Sequence, residues 1–247
     1  MSEPIPAATL VLFREGEGAP ELLFVERSKA MVFAGGALVF PGGRIDPGDR
    51  ALALELGGDP DDTAARIGAI RETIEEVGVA VGLPAIAPTT LAALRAGLHA
   101  GATFGAMLRD LGLALDPAAL TGFARWVPAH AERRIFDTRF YLARLPADAP
   151  PAVVDDTENV HVFWSSAQEV LAAADAGWAK IIFPTRRNLE RLAQFGSFDE
   201  AVAHAAAHAI RTVTPWIEER DGVEHLCIAD DLGYPVTSEP LGRAVRG

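Results

Sequence analysis

Arg71-Glu72-Thr73-Ile74-Glu75-Glu76-Val77-Gly78-Val79 is the stretch that organises the chain. At about 100° per residue, Ile67, Ile70, Ile74 and Val77 fall within about 80° of one another, and Glu72, Glu75 and Glu76 gather on the opposite side. The segment therefore reads as the end of a helix, roughly residues 62–77, with an apolar face and a face of three carboxylates. Like charges at i, i+3 and i+4 repel by a few tenths of a kcal/mol. A multivalent cation would turn that repulsion into ligation, and hard carboxylate oxygens suit Mg²⁺ or Mn²⁺. Arg71 precedes Glu75 by four residues and can pair with it, while Gly78 has the place of a C-cap. Alone, such a cluster is more often a solvated acidic face than a metal site. The upstream loop Phe40-Pro41-Gly42-Gly43-Arg44-Ile45-Asp46-Pro47-Gly48-Asp49 shifts that balance, because its paired glycines let backbone approach a ligand closely.

Composition bounds the function. The 247 residues are 49% hydrophobic, enough for a substantial core, and carry a net charge of −12 with a pI near 4.9. That charge argues against a nucleic-acid surface, which needs Lys/Arg patches, but not against a small anionic substrate beside a metal and a few arginines. The one cysteine, Cys227, lies in an apolar run and reads as a buried strand residue. No basic-then-apolar leader, no apolar run of membrane length and no peroxisomal-type C-terminal address is seen, so a cytoplasmic location is expected. Partners expected are a small-molecule substrate and a possible second copy of the chain in a homodimer, with no nucleic acid and no membrane.

Going outward, residues 8–14 and 21–27 read as antiparallel strands, 37–40 as a short strand, and 79–83 as another. A short helix at 51–56 precedes the acidic helix, whose cap falls to Asp61 or Asp62. Residues 89–98 and 105–111 read as helices of an insert, and 123–128, 133–145 and 159–164 as strands. Ser166 with Glu169 forms a capping-box signature. Helices from Pro184 and over 198–210, then a hairpin turning on Asp221-Gly222, complete the chain. Antiparallel strands with segregated helices define an α+β class. One domain over 1–247 is expected, with inserts about 50–61 and 83–120 and a helical-plus-hairpin extension about 185–247.

Gly43, Asp49, then Arg71-Glu72-x-x-Glu75-Glu76-x-Gly78-Val79 resemble the Nudix box, G-x5-E-x7-R-E-U-x-E-E-x-G-U. The chain departs from it in having Asp49 for Glu, Thr73 for a large aliphatic, and 21 residues (50–70) where the pattern has seven. Leu23-Phe24-Val25-Glu26-Arg27-Ser28, Gly36 and Phe40-Pro41-Gly42-Gly43 are similar to the extended signature of coenzyme A diphosphatases, with Val32 where that signature has Arg. Residues 134–141 and Pro184-Thr185-Arg186 are similar to the subgroup that includes peroxisomal acyl-CoA diphosphatases. The resemblance implies a Nudix α/β/α sandwich with a mixed sheet and helical insertions. It also implies metal-dependent hydrolysis of a nucleoside diphosphate derivative, CoA or acyl-CoA first, with ADP-ribose, NADH or a non-catalytic nucleotide binder as alternatives. Under it, Glu72, Glu75, Glu76 and the Gly42 carbonyl hold Mg²⁺ or Mn²⁺. Glu75, Glu158 and Asp49 are the catalytic carboxylates. Arg27, Ser28, Arg44 and Arg139 contact substrate, with bidentate arginines suited to phosphate oxygens.

Overall fold

The computed structural model describes residues 3–16, 18–31, 34–128, 135–154 and 159–244. Its main sheet contains β1 (Ile5–Arg14), β2 (Glu21–Arg27), β3 (Leu38–Val39), β4 (Gly42–Arg44), β5 (Thr121–Trp126), β6 (Phe136–Arg144), β7 (Asn159–Ser166) and β8 (Thr212–Val213). The spatial order is β3-β2-β1-β6-β5-β8, with β4 on β1 and β7 on β2. β1 runs parallel to β6 along its length, and β5 to β8; the other pairs are antiparallel, so the sheet is mixed. β1 is also forked. Its N-terminal half (Ala7, Ala8, Thr9) pairs with β4, and its C-terminal end (Phe13, Arg14) pairs with β2. That fork opens the sheet beside the Gly42-Gly43 loop.

Helices cover both faces. On one lie α1 (Pro47–Leu56), α2 (Pro60–Val77), α3 (Pro88–His99) and α4 (Phe104–Asp110); α5 (Ala167–Asp175), α6 (Phe183–Leu192) and α7 (Phe198–Ala207) join the opposite layer. The architecture is thus the α+β sandwich with a mixed sheet that the sequence implies. Ile67, Ile70, Ile74 and Val77 of α2 are wholly buried with Leu10 and Leu12 of β1 and Leu23 and Val25 of β2. Removing each such side chain from water is worth about 1.5–3 kcal/mol.

Several local expectations shift. Asp59, not Asp61 or Asp62, caps α2: its side chain accepts from the Asp62 N–H, and Pro60 takes the first helical position. The short helix starts earlier, at Pro47, so Asp49 lies in its first turn, where its carboxylate accepts the Asp46 N–H at 2.9 Å. Residues 79–83 form no strand; Gly78 and Gly82, both at positive φ, break extended geometry at each end. α7 ends at Ala207, three residues short of the expected 210, because His208 is extended. The Asp221-Gly222 hairpin has positive φ at both turn residues, as a two-residue primed turn requires. It joins β9 (Trp216–Arg220) to β10 (Val223–Cys227), and β11 (Ser238–Pro240) completes a second, three-stranded sheet before the short α8 (Leu241–Ala244). Cys227 is buried there. Among the described residues no helix is long and apolar enough to cross a membrane.

Candidate active site

The Gly-Gly loop and α2 meet at one cleft of about 860 Å³. The acidic face of α2 is not solvated: the side chains of Glu72 and Glu75 are 17% and 24% exposed. Glu76 is buried, and its carboxylate accepts the Gly42 N–H at 3.0 Å. The loop is fitted to the helix as closely as glycine allows. A Cβ on Gly43 would fall 2.4 Å from the Glu72 carboxyl, so an alanine there is incompatible with Glu72 in place. Gly43→Ala should therefore fold, since the obstructing atoms end a flexible side chain, yet lose about 10²-fold in kcat as Glu72 is displaced. Turnover measured beside a melting curve separates the two effects.

Arg71 orders the cluster. It is 5% exposed and forks onto Asp49 (Nε to Oδ1 3.0 Å, Nη2 to Oδ2 3.0 Å), Glu72 (2.9 Å), Glu75 (3.1 Å) and the Arg44 carbonyl (2.8 Å). Burial alone would depress its pKa, but the Asp49 hydrogen bonds and the charges of Glu72, Asp49 and Glu75 hold it above its ordinary value. The long spacing between Asp49 and Arg71 is resolved by a reversal. α1 ends at Gly57 and Gly58, both at positive φ, and α2 returns alongside it. Gly68 keeps that approach open, because a Cβ there would stand 3.2 Å from Asp49 Oδ2.

Burial, and only then charge, sets the chemistry of the glutamates. Burial pushes Glu72 up to about 7, with Arg71 opposing and Glu75 adding to the shift. Burial and repulsion from Glu72 push Glu76 up to about 8, against the Asn159 amide, the Gly42 N–H and Arg27. Both pKa values exceed the ordinary 4.5, so the folded, metal-free chain binds more protons than the unfolded one between those limits. The stability from this source is full below 4.5 and is lost as pH rises through about 7 and about 8. Melting temperatures in EDTA should decline across that window. Divalent-cation affinity should climb across it, because binding displaces the same protons.

The structure sorts the remaining candidates. Arg27 and Arg44 line the cleft, and Arg44 is exposed with its guanidinium unengaged by any described carboxylate. Asp49 is 1% exposed and lies behind Arg71, with its oxygens engaged there, instead of facing the cleft. Arg139 is turned away: its neighbours Thr138 and Phe140 line the cleft, and strand alternation sends Arg139 to the other face, where it pairs with Asp62 at 3.3 Å. Ser28 is a turn residue whose hydroxyl accepts from the Ala30 N–H at 3.4 Å. Glu158, like Val32, Arg133 and Arg134, lies outside the described residues.

Three contributors went unnoticed in the sequence. Arg95 of α3 donates to the carbonyls of Glu75 (2.9 Å), Glu76 (3.0 Å) and Val153 (2.8 Å), capping the end of α2. His99 of the same helix stands at the cleft rim, 3.1 Å from the Glu75 carbonyl. The far wall is apolar, and its Trp126 donates its indole N–H to the Tyr234 hydroxyl (2.9 Å), which itself donates to Asn188 Oδ1 (2.9 Å). The C-terminal residues thus back one wall of the cleft. No local periodicity marks Arg95 or Tyr234; their roles come from contacts between distant segments.

Among the described residues no three His, Cys, Asp or Glu side chains stand together as a ready cation cage. What exists is a pair of carboxylates, buried Glu76 and partly buried Glu72, whose mutual repulsion a divalent cation would relieve. Hard oxygen donors of this kind fit Mg²⁺ or Mn²⁺.

A glycine loop closed onto the carboxylates of a helix, on this layered mixed sheet, is the arrangement of the Nudix hydrolases. More narrowly, the chain belongs to the NUDT19 Nudix domain family, whose model matches residues 55–192. It is 27% identical over 272 residues to the human acyl-coenzyme A diphosphatase NUDT19, covering 85% of this chain and 72% of that one. To the Gallus gallus protein of the same name it is 26% identical, covering 90% and 75%. Among solved structures, a Nudix hydrolase from Alicyclobacillus acidocaldarius superposes with a TM-score of 0.72 at 30% identity, over 82% of this chain and 97% of the other.

Proposed function

We propose that the chain hydrolyses the diphosphate of coenzyme A or acyl-CoA, giving 3′,5′-ADP and (acyl-)4′-phosphopantetheine, with Mg²⁺ or Mn²⁺ as cofactor. The observation that carries this reading is the pair of carboxylates, Glu72 and Glu76, set against the Gly-Gly loop in a cleft that also holds Arg27 and Arg44. Similarity to acyl-CoA diphosphatases over most of the chain supports the choice of substrate.

In this reading Glu72 and Glu76 hold the cation, with Glu75 and the Gly42 carbonyl completing the set. The bound cation would neutralise diphosphate charge and lower the pKa of a bound water. Arg27 and Arg44 orient the phosphate oxygens. Water oxygen bonds to one phosphorus, the bridging P–O bond breaks, and a proton passes to a carboxylate, for which Glu75 and Glu158 are the candidates. Asp49 acts at one remove, by fixing the Arg71 fork. Arg139 holds Asp62 and is assigned no contact with substrate.

CoA, acyl-CoA, NADH, ADP-ribose and a dinucleoside polyphosphate, each with Mg²⁺ or Mn²⁺, provide the test, with products identified by mass spectrometry. The expected result is the highest kcat/KM on CoA or its thioesters. Preference for ADP-ribose or NADH would move the substrate within the class. Ligand-induced stabilisation with no product from any of them would replace hydrolysis by binding alone.

A further inference from the structure

β7 carries an irregularity beside the carboxylates. Its register with β2 slips between Glu26 and Arg27: Glu26 lies opposite His161, and Arg27 opposite Asn159. Val160 is the extra residue of a β-bulge, a device that re-aims a side chain. Residues directly opposed on paired strands project to the same face. An unbroken ladder would set Val160 opposite Arg27 and turn it toward α2. The bulge sets Asn159 there and leaves Val160 51% exposed.

Asn159 is fully buried, and among the described residues neither its Oδ1 nor its Nδ2 has a hydrogen-bond partner. Through its pairing with Arg27 it shares the β2 face of Leu23 and Val25, which packs against α2, and its amide acts to favour the charged form of Glu76. An unpaired buried amide group destabilises a fold, and an apolar residue in its place carries no such penalty. The Gly42 N–H already donates to the same carboxylate at 3.0 Å.

We propose that Asn159 is a positioning residue for Glu76: together with the Gly42 N–H it holds the carboxylate toward the cleft, and its Nδ2 donates to Glu76 when a divalent cation is bound. The proposal rests on the metal site inferred above. It assigns the bulge a purpose, which is to replace a valine by a hydrogen-bond donor at this one point.

The test is calorimetric titration of Mn²⁺ into the substrate-free chain, beside melting curves in EDTA. Asn159→Leu keeps the branched side-chain shape and removes the amide. It should weaken Mn²⁺ binding tenfold or more while leaving the melting temperature in EDTA equal or higher. Asn159→Ala should weaken binding likewise and serves if the leucine variant does not fold. Asn188, also fully buried and with its Nδ2 unpaired among the described residues, is the control; Asn188→Leu should change the melting temperature and leave Mn²⁺ affinity within twofold. Normal Mn²⁺ affinity in the Asn159 variants, or equal weakening in the Asn188 variant, would overturn the assignment and leave the metal site standing. Absence of Mn²⁺ binding by the unmutated chain would overturn both.

Discussion

Glu76→Gln should lower kcat by about 10³-fold and, in EDTA at pH 8–9, raise the melting temperature. The two effects have one cause. Glu76 is buried at 6% exposure and its pKa is pushed up to about 8, first by burial and then by repulsion from Glu72. Above that pH the metal-free fold must hold a desolvated negative charge against a second carboxylate. Glutamine keeps the shape and can still meet the Gly42 N–H through its amide oxygen, but it carries no charge to strain the fold or to hold a cation. Residues selected for a task often weaken the fold that carries them. Steady-state turnover with Mg²⁺, set beside melting curves at several pH values in EDTA, checks both halves. Turnover within tenfold of the unmutated chain would remove Glu76 from the site.

Arg71→Met should destabilise the fold by about 3–5 kcal/mol, the usual consequence of stranding a buried charge. Asp49, at 1% exposure, would lose the guanidinium that engages both its oxygens. Arg71→Lys should recover little, because one ammonium cannot reach Asp49, Glu72, Glu75 and the Arg44 carbonyl together. The double variant Arg71→Met/Asp49→Leu should regain most of the stability, since it replaces the pair instead of breaking it. It should stay inactive, because Glu72 and Glu75 no longer share an organiser. Urea unfolding of the two single variants and the double variant gives the coupling energy. Simple additivity of the single effects would show that Arg71 and Asp49 do not act as a pair.

Much of the frame was legible because it is periodic or local. The run Ile67, Ile70, Ile74, Val77 marked the buried stripe of α2, and all four are fully buried. Strands alternating around Gly/Pro turns, the Ser166–Glu169 capping box and the Asp221-Gly222 turn follow from rules that span a few residues, and each is present. Arg139 shows where local reading stops. Its motif suggested a phosphate contact, but only the sheet register tells which face a strand residue occupies, and this one faces Asp62. Asp49 shows the same limit from the other side. No spacing rule predicts that 21 intervening residues (50–70) fold as a helix and return, bringing it against Arg71.

By itself, the sequence determined most of the secondary elements, the class of fold, the cluster of three carboxylates on one helix face and the glycine loop upstream of it. Those depend on short-range periodicity and on residue chemistry. Only the tertiary structure decided that the acidic face is largely withdrawn from solvent, that Asp49 braces Arg71, that Arg95 caps the acidic helix, that Tyr234 backs the cleft wall, and that a one-residue bulge sets Asn159 opposite Arg27. Each of these arises from segments far apart in the chain, where packing and register, not local preference, set what a side chain meets.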